Sequence, residues 1–234
     1  MDKNSRKVLL FDIDGTLLDA GDIDRLSCQR ALEDVLGYSV PNTDVEMDGK
    51  TYWHIAKELL VHAGLEQDQI EEKTHNLLDA ITRHITAAAP SAVMHLLPGV
   101  RSLLDHLKKD SRYILGLVTG NIHEMVVPKL EAVGIDQGLF TFGAFGDDHI
   151  DRNVLPELAL NRINQMLGVR VPPERALIIG DTPHDIACAH YAGVRVLSVA
   201  TGVYKPRDLA EYEPDFLLED LSSTSQVLEI LENF

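Results

Sequence analysis

The chain has 234 residues, 45% of them hydrophobic and 25% charged, an ordinary globular balance that allows one large domain or a core with a smaller unit attached. Its formal charge is −16, from 21 Lys+Arg against 37 Asp+Glu. That excess disfavours nucleic-acid backbones and anionic lipid surfaces as partners, because both are bound through clustered positive charge. An anionic substrate must then be held by local cations, a metal ion or backbone amides.

At the N-terminus, Met1 to Lys7 runs into only a short apolar stretch, Val8-Leu9-Leu10-Phe11. A secretory signal needs a longer apolar region, and a membrane span needs roughly 20 apolar residues. Cys28 and Cys188 lie far apart and in no metal-ligand spacing, so buried free thiols are expected. A cytoplasmic protein with no membrane partner is the expectation.

Val8 to Phe11 reads as a strand buried on both faces. It runs into the polar loop Asp12-Ile13-Asp14-Gly15-Thr16. From about Leu18 to Met94 the pattern changes to helical stripes: Cys28, Leu32, Val35 and Leu36 before Gly37, then Ile55, Leu59 and Ala63 before Gly64, then Ile70, Leu77, Leu78, Ile81 and Ile85. No convincing strand appears there. The sheet resumes after Leu97-Pro98-Gly99, with apolar runs at Ile114–Val118, Ala176–Ile179 and Val194–Val199. Helical patterns lie between these runs, including Val100, Leu103, Leu104 and Leu107, and Val126, Leu130 and Val133 before Gly134. Strands alternating with helices predict a doubly wound parallel α/β sheet, Rossmann-like, covered on both faces. The expected division is a core of residues 1–17 and 95–234 with an all-helical cap of residues 18–94. The two crossings, near Leu17-Leu18-Asp19 and His95-Leu96-Leu97, would be the hinges.

In such sheets the active site lies at the carboxyl ends of the strands. Asp12 and Asp14 stand there two residues apart, on the same side if the chain stays extended. Two carboxylates held together repel, and a divalent ion with oxygen ligands meets that need. Gly15 permits a tight turn, and its amide with that of Thr16 could face an anion. A strand-terminating turn is the plainer account of such a motif standing alone. Thr119-Gly120-Asn121 follows the second core strand, where a hydroxyl and loop amides either bind phosphate oxygens or simply cap the next helix. Ile178-Ile179-Gly180-Asp181 ends a third buried strand, with Asp185 four residues on. Asp181 would stand beside Asp12 and complete a carboxylate cluster for a metal. Asp185 either joins it, directly or through water, or caps the helix that follows.

Together, Phe11-Asp12-Ile13-Asp14-Gly15-Thr16-Leu17-Leu18, Thr119 after another strand and Gly180-Asp181-x3-Asp185 after a third resemble the haloacid dehalogenase superfamily. The nearest likeness is to its phosphoglycolate phosphatase-like branch with a helical cap. The resemblance implies that Asp12 attacks phosphorus to form an aspartyl-phosphate. Asp14 would protonate the leaving alkoxide and then deprotonate the hydrolytic water. It implies Mg²⁺ held by the Asp12 carboxylate, the Asp14 carbonyl and Asp181, with Asp185 nearby. Thr119 and the Gly120 and Asn121 amides would hold phosphoryl oxygens of a small phosphorylated metabolite. Relatives that dehalogenate carbon lack an acid at the Asp14 position, which favours a phosphate ester.

The chain departs from the family pattern in one place. A lysine commonly followed by proline is expected between the second and last motifs, and the stretch here reads His149-Ile150-Asp151-Arg152-Asn153-Val154-Leu155-Pro156. Arg152 is the best stand-in, although a guanidinium fork does not equal an ammonium point charge. In the cap, Lys50 and Arg25 are candidate contacts to a second anionic group of the substrate, or solvated surface residues. Tyr52 and Trp53 fit a cap core, His184 lies in the last motif's loop, and Tyr204 and Lys205 read as surface loop. The ten histidines show no zinc-type spacing. Two other functions stay open: a phosphomutase of the beta-phosphoglucomutase type, and a non-catalytic binding module on the same fold.

Overall fold

The computed structural model describes residues 6–41 and 45–234. Residues 1–5 of the expected core segment and 42–44 of the expected cap lie outside the described residues.

Six parallel strands form the main sheet: β1 (Lys7–Phe11), β4 (Tyr113–Val118), β5 (Phe142–Ala144), β6 (Ala176–Gly180), β7 (Arg195–Val199) and β8 (Phe216–Leu218). Their order is β5-β4-β1-β6-β7-β8, so β1 is central. The four strands read from the sequence are there, and β5 and β8 are added at the two edges. Each of these has three residues, too short to show a periodic signal.

Alternation along the strands sends side chains to opposite faces. Leu9, Phe11, Leu115, Leu117, Leu177, Ile179 and Leu197 belong to one apolar cluster, with side chains of α4 (Val100–Leu107), α5 (His123–Ala132) and α9 (Thr224–Asn233). Val8, Leu10, Ile178 and Val196 belong to the other, with α6 (Leu155–Leu167) and α7 (Pro183–Ala192). Both faces are therefore covered, which is why the strands read as unbroken apolar runs rather than alternating ones.

Between β2 (Leu18–Asp19) and β3 (His95–Leu96) lie three helices: α1 (Ile23–Leu36), α2 (Tyr52–His62) and α3 (Gln67–Ala88). α3 packs on both others and also touches α5 of the core. Gly37, in the left-handed conformation with φ of 76°, ends α1 as its position implied. β2 and β3 pair with each other antiparallel, Leu18 opposite Leu96 and Asp19 opposite His95. The two crossings, expected as separate hinges, are thus one short ribbon. The apolar cluster around Leu9 runs on without a break into Leu32, Leu59 and Ile81 of these helices. Among the described residues, no helix is long and apolar enough to cross a membrane.

Register sets up the site. Phe11 is opposite Leu117 on one side and Ile179 on the other. Asp12 is therefore level with the last residues of both neighbours, and Thr119 and Asp181 extend just beyond.

Leu9 is fully buried at the centre of this arrangement. Leu9→Ala should lower stability by about 2–5 kcal/mol, the usual cost of such a cavity. Urea unfolding checks this, and a loss below about 1 kcal/mol would contradict the described packing.

Candidate active site

Three strand ends build the site. Asp12, Thr119 and Asp181 are all buried, and each directly follows the end of a strand that has a parallel neighbour on both sides. Asp12 is tied to β6 by its N–H, which donates to the Ile179 carbonyl at 2.9 Å.

Carboxylate oxygens of Asp12, Asp181 and Asp185 lie within 4.8 Å of one another. One guanidinium serves them: Arg152 Nη2 stands 3.3 Å from Asp12 Oδ2 and pairs with Asp185 Oδ1. Its Nη1 donates to the Gly49 carbonyl at 3.0 Å. Three buried carboxylates against one buried cation leave negative charge without a partner. Burial pushes Asp12 up to about 7, aided by the charges of Asp185 and Asp14 and opposed by Arg152. Burial likewise pushes Asp181 well above the usual carboxylate range, with Asp185 and Asp12 adding to it. Burial works against the charge on Arg152, yet Asp185 and Asp12 hold its guanidinium charged more firmly than usual. An all-oxygen donor set with an unmet need for positive charge fits a hard divalent cation such as Mg²⁺.

The supporting contacts are local. Thr16 Oγ donates to Asp181 Oδ1 at 2.9 Å and fixes that carboxylate. Gly15 has φ of 80°, and a β-carbon there would collide with the Asp181 carboxylate, so the turn needs glycine twice over. The amides of Gly15 and Thr16, expected to face an anion, are used inside the turn. Gly15 donates to the Leu18 carbonyl at 2.8 Å and Thr16 to that of Ile13 at 3.3 Å. Asp185 caps α7, accepting from the Thr182 N–H at 3.0 Å and its hydroxyl at 2.7 Å. It is therefore both a helix cap and a member of the acid cluster.

Thr119 is not a cap for α5, which begins four residues later at His123 with Ile122 before it. Its hydroxyl instead accepts from the Asn121 N–H at 3.3 Å and the Asn121 side-chain amide at 2.9 Å. The carbonyl of Gly120 accepts from the Tyr52 N–H at 3.0 Å, which docks the cap loop on this strand end.

Asp14 lines the same cavity, of about 540 Å³, but its carboxylate is outside the three-acid cluster. It is held at 3.0 Å on each oxygen by the ammonium of Lys129 and at 2.6 Å by the Asn121 amide. Lys129 went unrecognised in the sequence, although a signal was there. It sits between Val126 and Val133 on the apolar stripe of α5, where a lysine is out of place unless paired. Its further partner Asp24, one turn before Cys28 on α1, was missed for the same reason.

Of the cap candidates, Lys50 lines the cavity, but its ammonium is occupied by Glu58 at 2.8 and 2.9 Å. Arg25 is exposed and pairs with Asp22 at 3.1 Å. Arg25 lines the cavity as well, so both cations stand at its wall with an acidic partner already in place. Tyr52 is buried, and Trp53 packs edge-on against His75 at 4.8 Å. His184 packs against Gly49. The Tyr204 hydroxyl meets Glu46 at 3.2 Å, so this side chain also bridges to the cap.

A family model described as haloacid dehalogenase-like hydrolase matches residues 9–199. The chain belongs to that family. Among its relatives, the phosphoglycolate phosphatase of Vibrio cholerae is 28% identical over 96% of this chain and 97% of its own. The pyrophosphatase PpaX of Bacillus velezensis is 26% identical over 92% of each. In structure, this haloacid dehalogenase-like hydrolase resembles CbbY from Rhodobacter sphaeroides in complex with phosphate, with a TM-score of 0.72, 21% identity and coverage of 93% and 96%. That likeness speaks for the fold.

In the metal-free hydrolase, Asp181→Asn removes a buried charge that has no cation of its own. It should raise Tm by about 2–4 °C and remove most of any further rise that millimolar Mg²⁺ produces in the wild type. Thermal melts with EDTA and with Mg²⁺ check both, and a lower Tm for the metal-free variant would contradict the charge imbalance.

Proposed function

We propose that this chain is a Mg²⁺-dependent phosphatase that hydrolyses a small, phosphoglycolate-like organic phosphomonoester through an aspartyl-phosphate. The observation that carries the reading is the buried Asp12 carboxylate at the tip of the central strand, with one guanidinium at 3.3 Å and two further buried acids beside it. A buried carboxylate that shares its one cation with a neighbouring acid costs stability. The names of the relatives, phosphoglycolate phosphatase and pyrophosphatase, agree in phosphoryl transfer to water.

Asp12 attacks phosphorus, and the phosphorus–oxygen bond to the leaving alkoxide breaks. Asp14, at the mouth of the same cavity, gives that alkoxide its proton and later takes one from the water that cleaves the acyl phosphate. Arg152 offsets charge on Asp12 and the phosphoryl oxygens, filling the place of the family's lysine. Thr119, with the Gly120 and Asn121 amides, lines the phosphoryl side. Mg²⁺, held by Asp12, the Asp14 carbonyl and Asp181 with Asp185 behind them, would cancel the repulsion between nucleophile and phosphate. Residues 18–94 form the cap, which excludes water during attack and opens on the β2–β3 ribbon for release. The free, buried thiols of Cys28 and Cys188 accord with a place in the reducing cytoplasm.

Phosphate release from a panel of phosphorylated metabolites should require Mg²⁺, stop with EDTA and fall at least about a thousandfold in Asp12→Asn. No release from any ester, aryl phosphates included, would sink the proposal. Arg152→Lys should keep part of the activity, about a tenth, whereas Arg152→Met should lose about a hundredfold or more in kcat. Equal losses would mean that charge at this position is not what matters.

A further inference from the structure

We propose that Lys129 is a positioning residue that sets the orientation of Asp14 and, through Asp24, ties that orientation to the seating of the cap. The inference rests on the phosphatase reading, in which Asp14 is the proton donor.

Lys129 is fully buried, deep in the seam between α5 of the core and α1 of the cap. Its ammonium reaches both oxygens of Asp14 at 3.0 Å, Asp24 Oδ2 at 2.9 Å and the Asn121 side-chain oxygen at 2.9 Å. Three N–H donors thus serve three groups, and no hydrogen-bonding capacity is left over. Asn121, oriented by Lys129 through its oxygen, donates from its nitrogen to Asp14 at 2.6 Å. The Asp14 carboxylate is consequently gripped from two sides, and both grips pass through the lysine.

The other end of the network belongs to the cap. Asp24 lies on α1 and accepts from the hydroxyl of Tyr52, on α2, at 2.6 Å. A line of contacts therefore runs from the catalytic loop through a core helix to two cap helices. Burial alone would pull Lys129 below its usual value, but Asp14 and Asp24 together hold it above. When the cap withdraws, Asp24 leaves with it and Lys129 loses one of its two counter-charges. The fork on Asp14 is then no longer fixed by a fully paired lysine, and hydrogen bonds inside that seam exchange for water. An acid placed correctly only under a seated cap would not be aligned to deliver its proton while the cavity is open.

A positioning role for the proton donor makes a specific demand. The contribution of a general acid grows with the basicity of the leaving group, so its misplacement harms alkyl esters far more than aryl esters. kcat/KM reports the half-reaction in which that group departs. With saturating Mg²⁺, Lys129→Met should lower kcat/KM for an alkyl ester, glycerol phosphate or phosphoglycolate, about a hundredfold. For p-nitrophenyl phosphate the fall should stay under about tenfold, because nitrophenolate leaves without help. Asp24→Asn should show the same split, lowering kcat/KM for the alkyl ester about tenfold and leaving that for p-nitrophenyl phosphate nearly unchanged. Tyr52→Phe, which keeps every charge in place and leaves the fold intact, should show it at about threefold, and reads the cap connection even where Lys129→Met fails to fold. Equal falls on both esters across the variants would leave Lys129 only a structural ion pair and overturn the proposal, as would unchanged rates. A wild-type enzyme that releases phosphate from neither ester would overturn the phosphatase reading, and this inference with it.

Discussion

The structure is organised around an excess of buried negative charge. Asp12, Asp181 and Asp185 converge at the ends of β1 and β6 and the start of α7, and Arg152 is the cation that Asp12 and Asp185 share. Nothing in folding favours that arrangement, since each buried carboxylate loses hydration that one guanidinium cannot return threefold. The surrounding scaffold is built to withstand it. Both faces of the sheet are covered by apolar clusters, the capping interactions at Thr182 and Asp185 lock the start of α7, and the Thr16 hydroxyl holds Asp181 in place. Local instability is concentrated where chemistry would use it, and the rest of the molecule is conventional in its packing.

A second ionic group, built on the buried Lys129, stands where the helical segment meets the sheet domain. Lys129, Asp14, Asp24, Asn121 and Tyr52 sit where α5 meets α1 and α2. Beside it run hydrogen bonds to backbone carbonyls across the same seam, from the Tyr52 N–H to Gly120, from the Thr51 hydroxyl to Ile150 and from the Arg152 guanidinium to Gly49. Arg152 thus touches the acid cluster with one nitrogen and the cap with another. Cap and core are joined by polar groups at the cavity and by a continuous apolar cluster behind it, so their separation costs both hydration and contact.

What the sequence disclosed, and what it withheld, follows from the range of the interactions. The central strands were legible because a strand covered on both faces is an unbroken apolar run. Asp12, Thr119 and Asp181 were legible because they stand directly after such runs. β5 and β8 were not, since three residues at a sheet edge have no periodicity to read. Asp185 and Thr119 each had two readings from spacing alone. The position of the Arg152 guanidinium decides that the former joins the acids as well as capping, and the start of α5 at His123 removes capping as the role of the latter. The expected anion-facing amides of Gly15 and Thr16 failed for a local reason, because the turn that brings Thr16 to Asp181 consumes them. Lys129 and Asp24 failed for a distant one. They meet across a helix packing that joins residues 105 positions apart, and only the oddity of a charge on each apolar stripe hinted at it.

The ribbon formed by Leu18–Asp19 and His95–Leu96 has an evolutionary consequence. Because the outgoing and returning chains run side by side, the covalent connection of everything between them to the core is confined to one place. Residues in that stretch can be exchanged, lengthened or reshaped without altering strand order, register or the carboxylates at the strand tips. One wall of the cavity is therefore free to diverge while the strand tips that form its floor stay fixed.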